Sequence, residues 1–263
     1  MEPHCLLGVY AHPADEAFTI AGTLRKYDDA GVKTALICAT RGEEQREDDG
    51  LDLFSAHAAY RADELPAACE ILGVDDLTVL DYPGGALSKT NALEVIGQLV
   101  YHIRRLQPHV IVTFDEPGLY GHPDHAAIHR LAVSAFFRSH DSLWYPEQLR
   151  EGLKIHQTQK LYVSVLGQLG VEPPPLAPAT THAAALTLPL AERRRTMPLL
   201  RIALDDRQLS AKLAAIRVYQ SQGLVQIPPE PPGEQMRALL GQECFRRLEP
   251  RSTASEDDLF AGL

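Results

Sequence analysis

Two short stretches carry the residues that could do chemistry. Ala11-His12-Pro13-Ala14-Asp15-Glu16 closes a first apolar run, and Tyr120-Gly121-His122-Pro123-Asp124-His125 follows a later one. Each places histidine and carboxylate beside a proline at a strand-to-loop junction. Two imidazoles and one carboxylate converging from two strand ends would make a three-ligand zinc site, with a coordination position open for water or substrate. Taken singly, each residue has a plainer use. His12 can bond a backbone carbonyl, Asp15 and Asp124 can cap the helices they start, and His125 is one of 11 histidines. His-x-x-Asp and His-x-x-His together, at the ends of two parallel strands, point to a metal.

The elements that must position these residues alternate. Strands are expected at Cys5–Tyr10, Lys33–Thr40, Leu77–Tyr82 and His109–Phe114. Helices are expected at Asp15–Ala30 and Ser55–Leu72, stopped by Gly31 and Gly73, and at Asn91–Leu106 and Asp124–Arg138. The strands are apolar without period-two alternation, so the sheet is parallel and covered on both faces. Right-handed crossovers make it an α/β fold, a Rossmann-like doubly wound, mostly parallel sheet with helices on both faces. In the order 3-2-1-4-5 the ligand crevice lies between strands one and four, where the two motifs meet.

From Asp141 the pattern loosens. A fifth strand is expected at Lys160–Leu166, a turn at Pro173-Pro174-Pro175, a helix at Ser210–Gln220 and a proline-rich loop at Gln226–Glu234; Thr187–Arg195 receives no assignment. One domain spans 1–263: a core with the metal site over 1–140, a C-terminal elaboration over 141–251, and an acidic tail over 252–263 expected to be mobile.

Composition narrows the function. The 263 residues are 45% hydrophobic and carry a formal charge of −10, which argues against a nucleic-acid binder. No apolar run reaches the roughly 18 residues of a membrane span. The start lacks a basic segment and a cleavage site, so a cytoplasmic location is expected. The four cysteines are not closely paired and read as buried thiols, which keeps the metal off sulfur. The missing G-x-G-x-x-G after strand one disfavours a dinucleotide site.

The motifs resemble those of the PIG-L/LmbE-type zinc-dependent de-N-acetylases, A-H-P-D-D-E and H-P-D-H. The likeness runs over residues 1–140 and includes Thr40-Arg41-Gly42-Glu43-Glu44 and Tyr60-Arg61-Ala62-Asp63-Glu64-Leu65. Later, Lys212 to Gln222 is similar to the family's closing K-x-A-A-I-x-x-H-x-S-Q. The resemblance implies hydrolysis of an N-acetylglucosaminyl conjugate, a small-molecule substrate, with one Zn2+ per chain on His12, Asp15 and His125. It implies that His122 serves the leaving amine or the oxyanion, with Asp124 as its orienting partner and Tyr120 near the oxyanion. It gives Arg61 to substrate hydroxyls or a charged aglycone. Arg41 and Glu43, on the loop from Arg41 to Phe54 past a strand end, are expected to join Arg61 in the substrate-facing rim. His122 is not expected to be a primary ligand, because Pro123 starts a turn or helix that should make the rings of His122 and His125 diverge.

Three positions depart from the family pattern. Its general base is the first aspartate of A-H-P-D-D-E, and here that position is Ala14. The aspartate common after strand three gives way to Pro83-Gly84-Gly85, and the histidine of the closing motif to Tyr219. A methyl group accepts no proton, and a positioned base is worth roughly 10²–10⁴-fold, so the chain as written is expected to be slow or inactive. Ala14 fits either a substitution introduced to trap a substrate or a divergent, weakened hydrolase. Glu16 is expected to point into the sheet interface or a cap. Glu43 or Glu44 could reach the site from their loop. The alternative from another class is a non-catalytic, metal-stabilised protein that binds a sugar conjugate. The aglycone and the choice between monomer and homo-oligomer stay open, as does zinc against iron, since N/O ligands admit both.

Overall fold

The computed structural model describes residues 3–42, 53–165, 198–219, 233–251 and 254–263, without the side chains of 53–62, 120, 235 and 236. Seven strands form one sheet in the order β3-β2-β1-β4-β5-β7-β6. β1 (Cys5–Tyr10), β2 (Lys33–Thr40), β3 (Asp76–Tyr82), β4 (Val110–Phe114) and β5 (Lys160–Val165) are parallel. β7 (Gln242–Glu249) runs antiparallel to β5, and β6 (Leu200–Ala203) antiparallel to β7. β1 and β4 are buried throughout, as apolar strands covered on both faces must be. The chain winds outward from β1 through β2 to β3, then returns to β4 on the other side of β1. The crevice therefore opens between β1 and β4, where the strand order reverses.

The helices that place the site are α1 (Asp15–Thr19), α2 (Ala21–Asp29), α3 (Leu53–Leu72), α4 (Ala92–Leu106), α5 (Gly118–Gly121) and α6 (Pro123–Arg138). Further on come α7 (Pro146–Arg150), α8 (Asp206–Val218) and α9 (Glu234–Leu240). The single helix expected over Asp15–Ala30 is two, broken at Ile20 with φ −140°. The break frees the first amides of α2, and the buried Glu243 carboxylate of β7 accepts from Gly22 N and Thr23 N at 3.0 and 2.8 Å. A carboxylate is well placed at a helix N-terminus. Lys212 of α8 pairs with the same carboxylate at 2.7 Å. α8 begins ahead of the expected Ser210 because Asp205 and Gln208 form a capping box.

The acidic tail is expected to be mobile, but its described residues, 254–263, are docked. Glu256 accepts from Lys160 Nζ and Arg247 at 2.9 and 2.7 Å and from the Tyr162 hydroxyl at 2.5 Å. Leu259 is buried, and Phe260 packs edge-on against Tyr27 and flat on His4. All four cysteines are free and buried. Among the described residues no helix is long and apolar enough to cross a membrane. The expectations for Leu166, for 173–195 and for 226–232 lie outside the described residues.

Candidate active site

The first junction is a tight turn. Asp15 N donates to His12 O at 3.2 Å, closing the four residues His12-Pro13-Ala14-Asp15. Ala14 sits at φ 83°, ψ −16°, and is 3% exposed. Those angles are the third position of a type II turn, whose second position favours proline and whose third favours glycine or asparagine. An alanine there is strained, at a cost of about 1 kcal/mol. The Asp15 carboxylate folds back so that Oδ2 accepts from His12 N at 2.7 Å. At the neighbouring strand end Thr40 donates to Ala11 O through both its amide and its hydroxyl, which ties β2 to the start of the motif.

The second junction brings the remaining histidines under the first. His122 is the N-cap of α6 and Pro123 its first residue, so the helix starts between the two histidines. The rings nevertheless converge rather than diverge, with centroids 4.6 Å apart for His122 and His125 and 4.9 Å apart for His12 and His122. An N-cap side chain folds over the first turn, which is where a residue three positions on projects. The His125 ring is 2% exposed and stacks on Phe114 at 3.9 Å. Gly118, at φ 70°, lets α5 pack on this turn: a Cβ there would meet Ala126 N at 2.7 Å and His125 Cβ at 2.8 Å.

Asp124 corrects a further expectation. Its carboxylate orients His12, not His122: Oδ2 stands 2.9 Å from His12 Nε2. The same carboxylate accepts from Gly85 N at 2.6 Å and Leu87 N at 3.0 Å, so the Pro83-Gly84-Gly85 turn serves as a backbone cradle. What reaches His122 is the main-chain amide of Asp124, which donates to Nδ1 at 3.2 Å. Burial opposes ionisation of Asp124, but the His12 contact and the two amides outweigh it and hold its pKa below the usual carboxylate value. Burial likewise opposes ionisation of Asp15, and His125 and His12 overcome it. Burial, then the neighbouring His12 and His125, push the His122 pKa down.

The donor set suits a divalent metal. One nitrogen of each of His12, His122 and His125 lies within 4.8 Å of the others. Asp15 Oδ1 is 3.3 Å from His125 Nε2, and Asp15 Oδ2 is 3.6 Å from His12 Nδ1. Two ligands at 2.0–2.1 Å from a tetrahedral zinc stand about 3.4 Å apart. With Nε2 of His12 turned to a carboxylate, Nδ1 is presented to the metal side, an arrangement common among metal-bound histidines.

Arg41 forms an ion pair with Asp81 at the exposed mouth of β2 and β3. Glu43 and Glu44 lie outside the described residues. Arg61 falls in α3 and Tyr120 in α5, and their side chains are not among those described. Glu16 turns inward, as expected of it, and Oε2 accepts from Ala14 N at 3.1 Å. Its other oxygen accepts from the Tyr219 hydroxyl at 2.5 Å, a partner 203 positions away that no local signal marks. Burial, resisted by the Tyr219 bond, pushes the Glu16 pKa up to about 7.

A mostly parallel α/β sheet with histidines and carboxylates at its switch point defines the class, and comparison with known proteins defines the family. The PIG-L family, GlcNAc-PI de-N-acetylase, matches residues 7–136. The 1D-myo-inositol 2-acetamido-2-deoxy-alpha-D-glucopyranoside deacetylase of Geodermatophilus obscurus is 32% identical, over 98% of this chain and 97% of that one. The chain belongs to the PIG-L family of de-N-acetylases. The N,N'-diacetylchitobiose deacetylase from Pyrococcus horikoshii superimposes with a TM-score of 0.63 at 25% identity, covering 84% of this chain and 71% of that one. GalB, the 4-carboxy-2-hydroxymuconate hydratase of Pseudomonas putida, shares the fold with a TM-score of 0.61 at 19% identity over 96% of this chain and 99% of its own. One scaffold thus carries different chemistries, and function has to be argued from the site.

Proposed function

We propose that this chain is a metal-dependent amide hydrolase that removes the acetyl group from an N-acetylglucosaminyl conjugate, with N-acetylglucosaminyl-inositol the first substrate to test. The observation that carries this reading is the approach of Asp15 to within 3.3 Å of His125 Nε2 and 3.6 Å of His12 Nδ1, across two junctions far apart in sequence. His12, Asp15 and His125 would hold the ion. Zinc there supplies Lewis acidity toward an amide carbonyl and lowers the pKa of water.

The chain's own residues divide the other tasks. His122 uses Nδ1 as an acceptor, so the neutral ring carries its proton on Nε2. Its lowered pKa keeps it neutral near pH 7, and Nε2–H is then a donor for a developing oxyanion. Asp124 holds His12 in one tautomer and is itself fixed by two amides. The family resemblance assigns Arg61, Arg41 and Glu43 to the substrate rim and Tyr120 to the oxyanion, and these roles are part of the proposal. No carboxylate of the two motifs serves as a base: Glu16 is committed to Ala14 N and Tyr219, and Asp124 to His12, Gly85 and Leu87. With alanine at position 14, hydrolysis is slow.

That last point also supports a second reading, a metal-stabilised binding protein for the same conjugates. Amine release from N-acetylglucosaminyl-inositol separates the two. Zinc-dependent release that strengthens in Ala14→Asp supports the hydrolase. Zinc-dependent binding of the conjugate with no release from either form would replace it with the binding protein.

A further inference from the structure

The turn that carries His12 and Asp15 has a choice of conformation. Rotating the Pro13–Ala14 peptide converts a type II turn into type I without moving the turn's ends. Type I puts the third residue at negative φ, which alanine prefers; type II, the form observed, puts Ala14 at φ 83°. The rotation also swings the Ala14 N–H to the other side of the turn. Something must hold that amide where it is.

The holding group is Glu16. Its Oε2 accepts from Ala14 N at 3.1 Å, and its Oε1 accepts from the Tyr219 hydroxyl at 2.5 Å. Glu16 and Tyr219 are each 1% exposed. Tyr219 is the C-cap of α8, and its own amide is tied to Ile216 O at 3.2 Å. The same helix grips the far end of α1 through Lys212, whose Nζ donates to Phe18 O at 3.2 Å and to Glu243 at 2.7 Å. α8 therefore fixes α1 at both ends, and at the near end it does so through the carboxylate that fixes the turn.

We propose that Glu16 and Tyr219 are a pair of positioning residues: they lock the His12–Asp15 turn in its type II form, which alanine alone would not adopt, and so hold His12 and Asp15 in register for the metal. This rests on the reading of His12, Asp15 and His125 as the metal site. Position 14 makes the inference specific. Glycine accepts type II without strain, so the pair matters with alanine at 14 and is dispensable with glycine there.

The experiment measures zinc affinity by competition with a chromophoric chelator, and the visible spectrum of the Co2+ form, for the Ala14 chain, Tyr219→Phe, Ala14→Gly and the double variant. Tyr219→Phe should weaken zinc binding about tenfold or more, within the range seen when residues supporting metal ligands are altered, and should change the Co2+ spectrum. In the Ala14→Gly background the same substitution should leave affinity and spectrum unchanged while still lowering the thermal midpoint. A merely structural role for the tyrosine would weaken zinc equally in both backgrounds, and that result would overturn the proposal, as would an unchanged affinity in Tyr219→Phe alone. An unsubstituted Ala14 chain that binds no zinc would remove the metal reading, and the role of this pair with it.

Discussion

Replacing Ala14 with aspartate adds a carboxylate in a turn that already has the backbone for it. At φ 83°, ψ −16°, Ala14 lies in the left-handed region, where aspartate and asparagine are several-fold enriched and alanine is uncommon. The backbone should therefore accept the change, releasing about 1 kcal/mol of strain. That gain offsets part of the cost of a new charge at a site 3% exposed, beside Asp15. A positioned base contributes roughly 10²–10⁴-fold, which is about 3–5 kcal/mol of barrier. The assay is initial-rate amine release with zinc in excess, with turnover and KM determined separately. The rise should fall in turnover, because a base acts on the transition state rather than on substrate binding. Two controls separate chemistry from backbone. Ala14→Asn has the shape and the left-handed tolerance without the base, and Ala14→Gly relaxes the turn without a side chain. Both should stay near the rate of the Ala14 chain, and Ala14→Gly should melt higher by about 2 °C. If asparagine or glycine matched aspartate, strain and not a missing base would limit the chain. If aspartate gained nothing on any N-acetylated sugar conjugate, the hydrolase reading would fail.

Three further outcomes are expected. The Glu16 pKa is raised by burial to about 7, so the folded state holds that proton more tightly than the unfolded chain. Stability relative to Glu16→Gln should then be greatest below about pH 4.5 and fall by up to about 3 kcal/mol as pH rises through 7 in metal-free protein; parallel melting curves from pH 4.5 to 8 would contradict this. Lys212→Met strands the Glu243 carboxylate among Gly22, Thr23 and the end of α1, and should cost about 3–5 kcal/mol in urea unfolding; a loss under about 1 kcal/mol would show that the two helix amides suffice. Arg61→Ala should raise KM or lower turnover on the best substrate, and unchanged kinetics would remove Arg61 from the rim.

The part of the fold that makes the site was legible because its signals are local. Cys5–Tyr10 and Lys33–Thr40 are apolar runs bounded by turn residues and match the observed strands to the residue. Crossover handedness admits more than one strand order; the order 3-2-1-4-5, on which the meeting of the two histidine motifs depends, is the one observed. What stayed hidden depends on distant partners. β7 reads as a charged segment until Arg247 is seen paired with Glu256 of the tail, and Glu243 until it is seen on the N-terminus of α2. β6 alternates Leu200 and Ile202 against Arg201 and Ala203 over only four residues, too few to read. The convergence of His122 with His125 follows from cap geometry rather than from the presence of Pro123. The turn of Asp124 toward His12 follows from amides in a Pro-Gly-Gly loop whose side chains say nothing about them. Glu16 was legible as inward-facing, but its partner Tyr219 could be marked only as a departure from the family pattern.

The proposed function stands on His12, Asp15 and His125 forming one composite metal site. A crystal of the zinc-loaded chain, with anomalous differences collected on either side of the zinc edge, tests it directly. One peak per chain is expected at about 2.0–2.1 Å from a nitrogen of His12, an oxygen of Asp15 and a nitrogen of His125, with His122 outside that distance. A peak bonded to His122 in place of Asp15, or no peak between the two junctions, would contradict it.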